Sequence, residues 1–193
     1  MQGLLEFCAA MARRLRTRVW TTLVRGRFRA FGAGSIVEPV SALAHPNCVE
    51  VGARVHIREH AWLNCFPRED GKPTLVIKDG CYIGRFFHAN AFSDIVIEEE
   101  VMIADRVYIA DVDHKYKDPE KSILSQGLEV KGPVRLKRGC WIGTGAAIFP
   151  GVTVGRNAVV GANAVVHKDV PDYGMALGNP ARIMTRQDAP PKE

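Results

Sequence analysis

From Leu136 the chain divides into six consecutive hexads, LKRGCW, IGTGAA, IFPGVT, VGRNAV, VGANAV and VHKDVP. Their first places are Leu136, Ile142, Ile148, Val154, Val160 and Val166, all branched aliphatics. Their fifth places are Cys140, Ala146, Val152, Ala158, Ala164 and Val170, all small. An earlier block, IEEEVM, IADRVY and IADVDH, holds the same register from Ile97 to His114, and weaker traces at VGARVH, IREHAW, IKDGCY and IGRFFH extend the period over most of residues 49–171. A helix repeats its apolar face every 3.6 residues and a strand every two, so a period of six fits neither as a long element. It fits a coil of very short strands and tight corners, each aliphatic pointing into a narrow core and each small residue filling a corner. One turn of such a coil cannot bury its own apolar face, so stability comes from stacking turn on turn. Pro150-Gly151 and the Gly-x-Asn stretches supply corner conformations. The expected fold is an all-β solenoid of hexapeptide repeats.

The rhythm stops at Asp113 and His114. His114 takes the last place of a hexad, and residues 115–133 form an irregular excursion before the period resumes. A loop leaving a solenoid is a place to build a pocket wall. An imidazole there is suited to general base chemistry, because its ordinary pKa lies near neutrality. Asp113 is a candidate to orient that ring or stabilise its charged form. Asp111 and a backbone carbonyl are open alternatives.

The segment CWIGTGAAIFPGVTVGRNAVVGANAVVHKDVPDYGMALGNPARIM resembles the hexapeptide-repeat acyltransferases, and the resemblance extends over roughly residues 34–186. It implies a left-handed parallel β-helix with three hexads per turn. Within that family the chain looks most like the sugar O-acetyltransferases, including galactoside and maltose acetyltransferases and enzymes that acetylate bacterial surface polysaccharides. The resemblance implies acetyl-CoA as donor, a homotrimer with active sites between subunits, and His114 as the base. It matches Asn90, in IGRFFHANAF, to an asparagine that holds the acceptor, and sets His88 where the galactoside enzymes carry an aromatic. As a residue type Asn90 suits that role, since an amide both donates and accepts, although an asparagine that merely forms a left-handed turn is the plainer alternative. On the donor side Trp141, Gly143, Thr144, Ala162, His167 and Lys168 match positions lining the acetyl-CoA groove, with His167 replacing a common threonine or serine. Backbone amides near Gly143 and Thr144 are expected to hold the thioester oxygen, and Arg182 of GNPAR is expected to join Lys168 at the nucleotide phosphates. The function implied is acetyl transfer to a sugar or glycan hydroxyl by direct attack, without a covalent enzyme intermediate. Two alternatives keep the chemistry and change the acceptor, to the amine of a nucleotide-linked amino sugar or to serine, and a third makes the coil a scaffold without activity. The zinc-dependent branch of the fold, resembling gamma-type carbonic anhydrases, is disfavoured because Pro119 stands where a second histidine would be needed, and no metal is expected.

Composition adds a compartment and one more element. Five cysteines (Cys8, Cys48, Cys65, Cys81 and Cys140) are scattered without a C-x-x-C pair, which argues against a disulfide framework and makes a reducing cytoplasm the default. No apolar run reaches the length of about 18 residues that a membrane span needs. Residues 1–37 hold seven arginines against the single acid Glu6, a net +6, so the rest of the chain contributes none of the overall +5. Leu4, Phe7, Cys8, Met11, Leu15, Val19, Trp20 and Leu23 recur there at helical spacing, predicting a basic amphipathic helix over residues 3–24. Such a helix caps the coil, packs in an oligomer, or rests on an anionic membrane surface at the inner face of the membrane. Nucleic acid is not an expected partner, since no nucleic-acid-binding motif accompanies the charge. The domain plan is therefore a helical segment 1–33, a β-helix 34–186 with its loop at 115–133, and a tail 187–193.

Overall fold

A computed structural model describes residues 2–185; the tail expected at 187–193 lies outside them. Helix α1 (Gln2–Arg25) precedes a coil of six turns, each contributing one short strand to each of three parallel sheets. The first turn holds β1 (Ala30–Phe31), β2 (Ile36–Val37) and β3 (Ala42–Ala44), the second β4 (Val49–Val51), β5 (His56–Ile57) and β6 (Trp62–Cys65). The third holds β7 (Leu75–Ile77), β8 (Tyr82–Ile83) and β9 (His88–Ala91), the fourth β10 (Ile95–Ile97), β11 (Met102–Ile103) and β12 (Tyr108–Ala110). An antiparallel ribbon of β13 (Val112–His114) and β14 (Leu128–Val130) then leaves the coil, with the one-turn helix α2 (Ile123–Gln126) between its strands. The fifth turn holds β15 (Val134–Leu136), β16 (Trp141–Ile142) and β17 (Ala147–Ile148), the sixth β18 (Thr153–Val154), β19 (Val159–Val160) and β20 (Val165–Val166). The antiparallel pair β21 (Met175–Leu177) and β22 (Arg182–Met184) closes the far end on β19.

The first residues of the hexads stack in three columns, one per sheet. One column runs Val51, Ile77, Ile97, Leu136, Val154; the second Val37, Ile57, Ile83, Ile103, Ile142, Val160; the third Leu63, Ala89, Ile109, Ile148, Val166. All of these are buried, as are the small fifth-place residues from Cys140 to Val170. The fourth place of most hexads turns the corner in the left-handed region: Gly139, Gly145, Asn157 and Asn163 do so late in the chain, Arg54, His60, Phe86, Glu100 and Arg106 early, the last five with φ between 54° and 65°. Glycine at the second place answers a different need. A Cβ on Gly143 would lie 2.6 Å from the Ala162 nitrogen of the next turn.

The expected boundaries shift in three places. The coil starts at Ala30 rather than residue 34. A second, smaller break in the rhythm, residues 66–74, separates β6 from β7, so the excursion is not alone. The excursion itself begins at Asp111, not after His114: Val112, Asp113 and His114 pair with Val130, Glu129 and Leu128, so His114 lies on the ribbon and Asp113 is no corner filler. The reason is Asp111, whose buried carboxylate accepts from the Phe92 (2.8 Å), Ser93 (2.8 Å) and Asp94 (2.7 Å) amides and so ends the strand.

Candidate active site

The ribbon carries His114 to the rim of a cavity of about 350 Å³ lined by Asn64, Phe66, Asn90, Phe92, Tyr108, Val112, Asp113, His114 and Leu128. Its polar floor is a network on the outer face of the third sheet. Asn64 and Asn90 sit side by side on β6 and β9, and Asn64 Nδ2 donates to Asn90 Oδ1 at 3.0 Å. Asn90 Nδ2 donates to the Tyr108 hydroxyl at 3.2 Å, and His88 Nε2 lies 3.2 Å from Asn90 Oδ1. Asn90 is therefore a strand residue, not a left-handed turn. Burial holds the His88 imidazole below the ordinary histidine value, opposed by its contact with Asn90, and in its neutral form it donates from Nε2 to that oxygen. His88 also stacks on the exposed Trp62 ring at 4.9 Å and meets Tyr108 edge-on at 5.3 Å. Phe66 stacks on Phe92 at 4.1 Å to form the apolar wall.

His114 is exposed, and among the described residues nothing hydrogen-bonds its ring. Neither aspartate orients it. Both oxygens of Asp111 are engaged by the 92–94 backbone. Asp113 accepts the His114 backbone amide at 2.8 Å and faces Lys131 Nζ at 3.5 Å. The triad-like role considered for Asp113 and its alternative Asp111 is thus not formed within the chain.

The donor-side residues fall into two groups. His167, Lys168 and Arg182 meet around a cavity of about 590 Å³ with the 177–181 loop; among the described residues no carboxylate pairs with Lys168 or Arg182. Thr144 and Ala162 stack at the corner between the second and third sheets, and both are exposed. At the same place of their hexads the Ala53, Arg85, Arg138 and Arg156 amides are capped by Asp79, Asp105, Glu98 and Asp172. Among the described residues no acceptor meets the Thr144 or Ala162 amide. The Gly143 amide, by contrast, donates to the Val160 carbonyl at 2.8 Å, which removes it as a donor to a thioester oxygen. Trp141 is exposed on the outer face of the second sheet, in register with Met102 and Val159. It lines neither cavity. Among the described residues no group of three histidine, cysteine or carboxylate side chains is placed to hold a metal ion.

Sequence reasoning missed Asn64, Trp62 and Tyr108. Their signal was available: 26 residues separate Asn64 from Asn90 and Trp62 from His88, one irregular turn of the coil.

Residues 133–168 match the family model for bacterial transferase hexapeptides, a run of six repeats. The chain is 37% identical over 136 residues to a probable acetyltransferase of Mycobacterium tuberculosis, covering 70% of this chain and 43% of that one. It spans less than half of that relative's length. An N-acyltransferase from Bacillus cereus, solved with dTDP and 3-hydroxybutyryl-CoA, has the same fold at a TM-score of 0.72 and 20% identity, over 86% of this chain and 87% of that one. A galactoside acetyltransferase solved with coenzyme A follows at a TM-score of 0.57 and 23% identity, over 84% and 67%. The repeats and these solved neighbours imply the left-handed sense of the coil. By its repeats at residues 133–168, its fold and its relatives, this chain is similar to the hexapeptide-repeat transferases.

Proposed function

We propose that the chain moves acetyl from acetyl-CoA to a hydroxyl of a sugar or surface glycan, with His114 as general base. The observation that carries this reading is the unpartnered His114 ring at the rim of a cavity whose floor, Asn64, Asn90 and Tyr108, offers amide and hydroxyl groups to a polyhydroxyl acceptor. His114 takes the acceptor's proton as its oxygen forms the ester bond and the carbon–sulfur bond breaks; the imidazolium then returns the proton to the departing thiolate. Lys168 and Arg182 would hold the nucleotide phosphates, and the open Thr144 and Ala162 amides would meet carbonyls of the pantetheine arm. None of these donor-side residues lines the His114 cavity. We read this as a donor groove supplied by a neighbouring copy in a homotrimer.

The B. cereus N-acyltransferase, a variant of which is solved with dTDP-4-amino-4,6-dideoxyglucose and coenzyme A, supports a second acceptor, the amine of a dTDP-linked sugar. The exposed Trp62 face beside His88 would give such a nucleotide or sugar ring a flat surface. Thiol release from acetyl-CoA against sugars, nucleotide-linked amino sugars and serine separates these readings. His114→Ala should cut release at least about a hundredfold while acetyl-CoA affinity holds. An unchanged kcat would remove His114 as base.

A further inference from the structure

Helix α1 grips the coil with one face and turns an apolar face away from it. Trp20 and Thr21 are half-buried, Val24 is buried, and the Thr21 hydroxyl both donates to the Val37 carbonyl (2.8 Å) and accepts its amide (3.1 Å). On the opposite side Met11, Leu15, Val19 and Leu23 follow at every fourth residue, a single stripe that Leu5 and Cys8 extend. Leu5, Leu15 and Leu23 are 69%, 65% and 70% exposed. At about 100° per residue, Arg14 and Arg18 border this stripe on one side and Arg16 on the other, while Glu6, the sole acid of the helix, falls on the coil-facing side. Part of the amphipathic pattern thus caps the coil as expected, and most of its apolar residues do not.

What covers the stripe has to satisfy both chemistries. A second copy of this face laid on the first would bring Arg14 and Arg18 against their counterparts with no acid of the helix beside them, while Arg16 is held by Glu59 of the coil at 3.2 Å. A bilayer carrying anionic lipids takes the apolar stripe into its acyl boundary and the arginines among its headgroups. No helix among the described residues is long and apolar enough to cross a membrane, so the contact is one of lying on the surface. We infer that α1 is a surface anchor that seats the protein on an anionic bilayer, a conclusion independent of the acetyl-transfer reading.

Sedimentation of the full chain with vesicles of phosphatidylcholine alone, and of phosphatidylcholine mixed with phosphatidylglycerol, tests this. The chain should pellet with the mixed vesicles, less so in high salt, and remain in solution with phosphatidylcholine. Arg14→Gln with Arg18→Gln should lower partitioning about tenfold or more, and Leu15→Gln with Val19→Gln should do the same. All four side chains are exposed, so the thermal transition should be retained. Equal pelleting with both vesicle types overturns the proposal, as does pelleting with neither. In the latter case a smaller particle mass for the Leu15→Gln, Val19→Gln variant would assign the stripe to a second copy.

Discussion

Asp111 offers the sharpest test of how the coil hands over to the ribbon. Its carboxylate is fully buried and accepts three backbone amides, Phe92, Ser93 and Asp94, at 2.7–2.8 Å. Hydrogen bonds to a charged group contribute about 1.5–3 kcal/mol each. The three donors belong to half-buried residues that water can partly resolvate, so the lower end of that range applies, and Asp111→Ala should cost about 4–5 kcal/mol. Asp111→Asn keeps one acceptor oxygen but turns an NH₂ toward amide donors, for a loss of about 2–3 kcal/mol. Urea unfolding at matched protein concentration measures the global term, and limited proteolysis within 115–127 reports release of the ribbon alone. Asp113→Ala, two residues on, removes only a half-exposed contact to Lys131 and the His114 amide, and should change stability by less than about 1 kcal/mol. Asp111→Ala within about 1 kcal/mol of the parent and with unchanged proteolysis, or an Asp113→Ala of equal cost, would refute the assignment of the anchor to Asp111.

Two further outcomes follow from the site. If the donor groove comes from a neighbouring subunit, His114→Ala and Ala162→Trp proteins, each inactive alone, should regain about a quarter of parental activity when unfolded and refolded together, because about one interface in four then joins two intact halves; no recovery would place both halves on one chain. His88, held below the ordinary histidine value by burial, takes up its proton more readily when unfolded. Stability should therefore be full above that ordinary value and fall as pH drops below it. His88→Gln should flatten this acid-side decline in Tm, and parallel profiles for variant and parent would refute the effect.

The coil was legible because its lead and fifth positions obey one steric rule throughout. The later hexads were plainest, since glycine and asparagine mark their left-handed corners. Earlier corners use Arg54, His60, Phe86, Glu100 and Arg106 in the same conformation, where stacking between turns overrides local preference and hides the punctuation. The handover was misplaced for a related reason: IADVDH continues the period in letters, while the Asp111 carboxylate has already ended the strand. Of the candidate site, His114 and Asn90 stood out in the sequence and line one cavity, and Lys168 and Arg182 line another. Asn64 and Tyr108 were overlooked: the spacings of 26 residues from Asn64 to Asn90 and 20 from His88 to Tyr108 both depart from three even hexads, and register shows which side chains meet.

The ribbon is closed at its base. The Lys131 amide donates to the Asp111 carbonyl at 3.0 Å and the Val134 amide to the Asp94 carbonyl at 3.0 Å. Strand β15 pairs directly with β10, Ile95 against Val134, as though nothing intervened. The tip between Lys115 and Gly127 is joined by its own hydrogen bond at 3.0 Å and enters no coil ladder. The chain thus carries a detachable module: this tip can lengthen, shorten or be exchanged without a change of phase in the coil. Changes confined to these dozen residues would accordingly leave the register of the stacked turns on either side as it is.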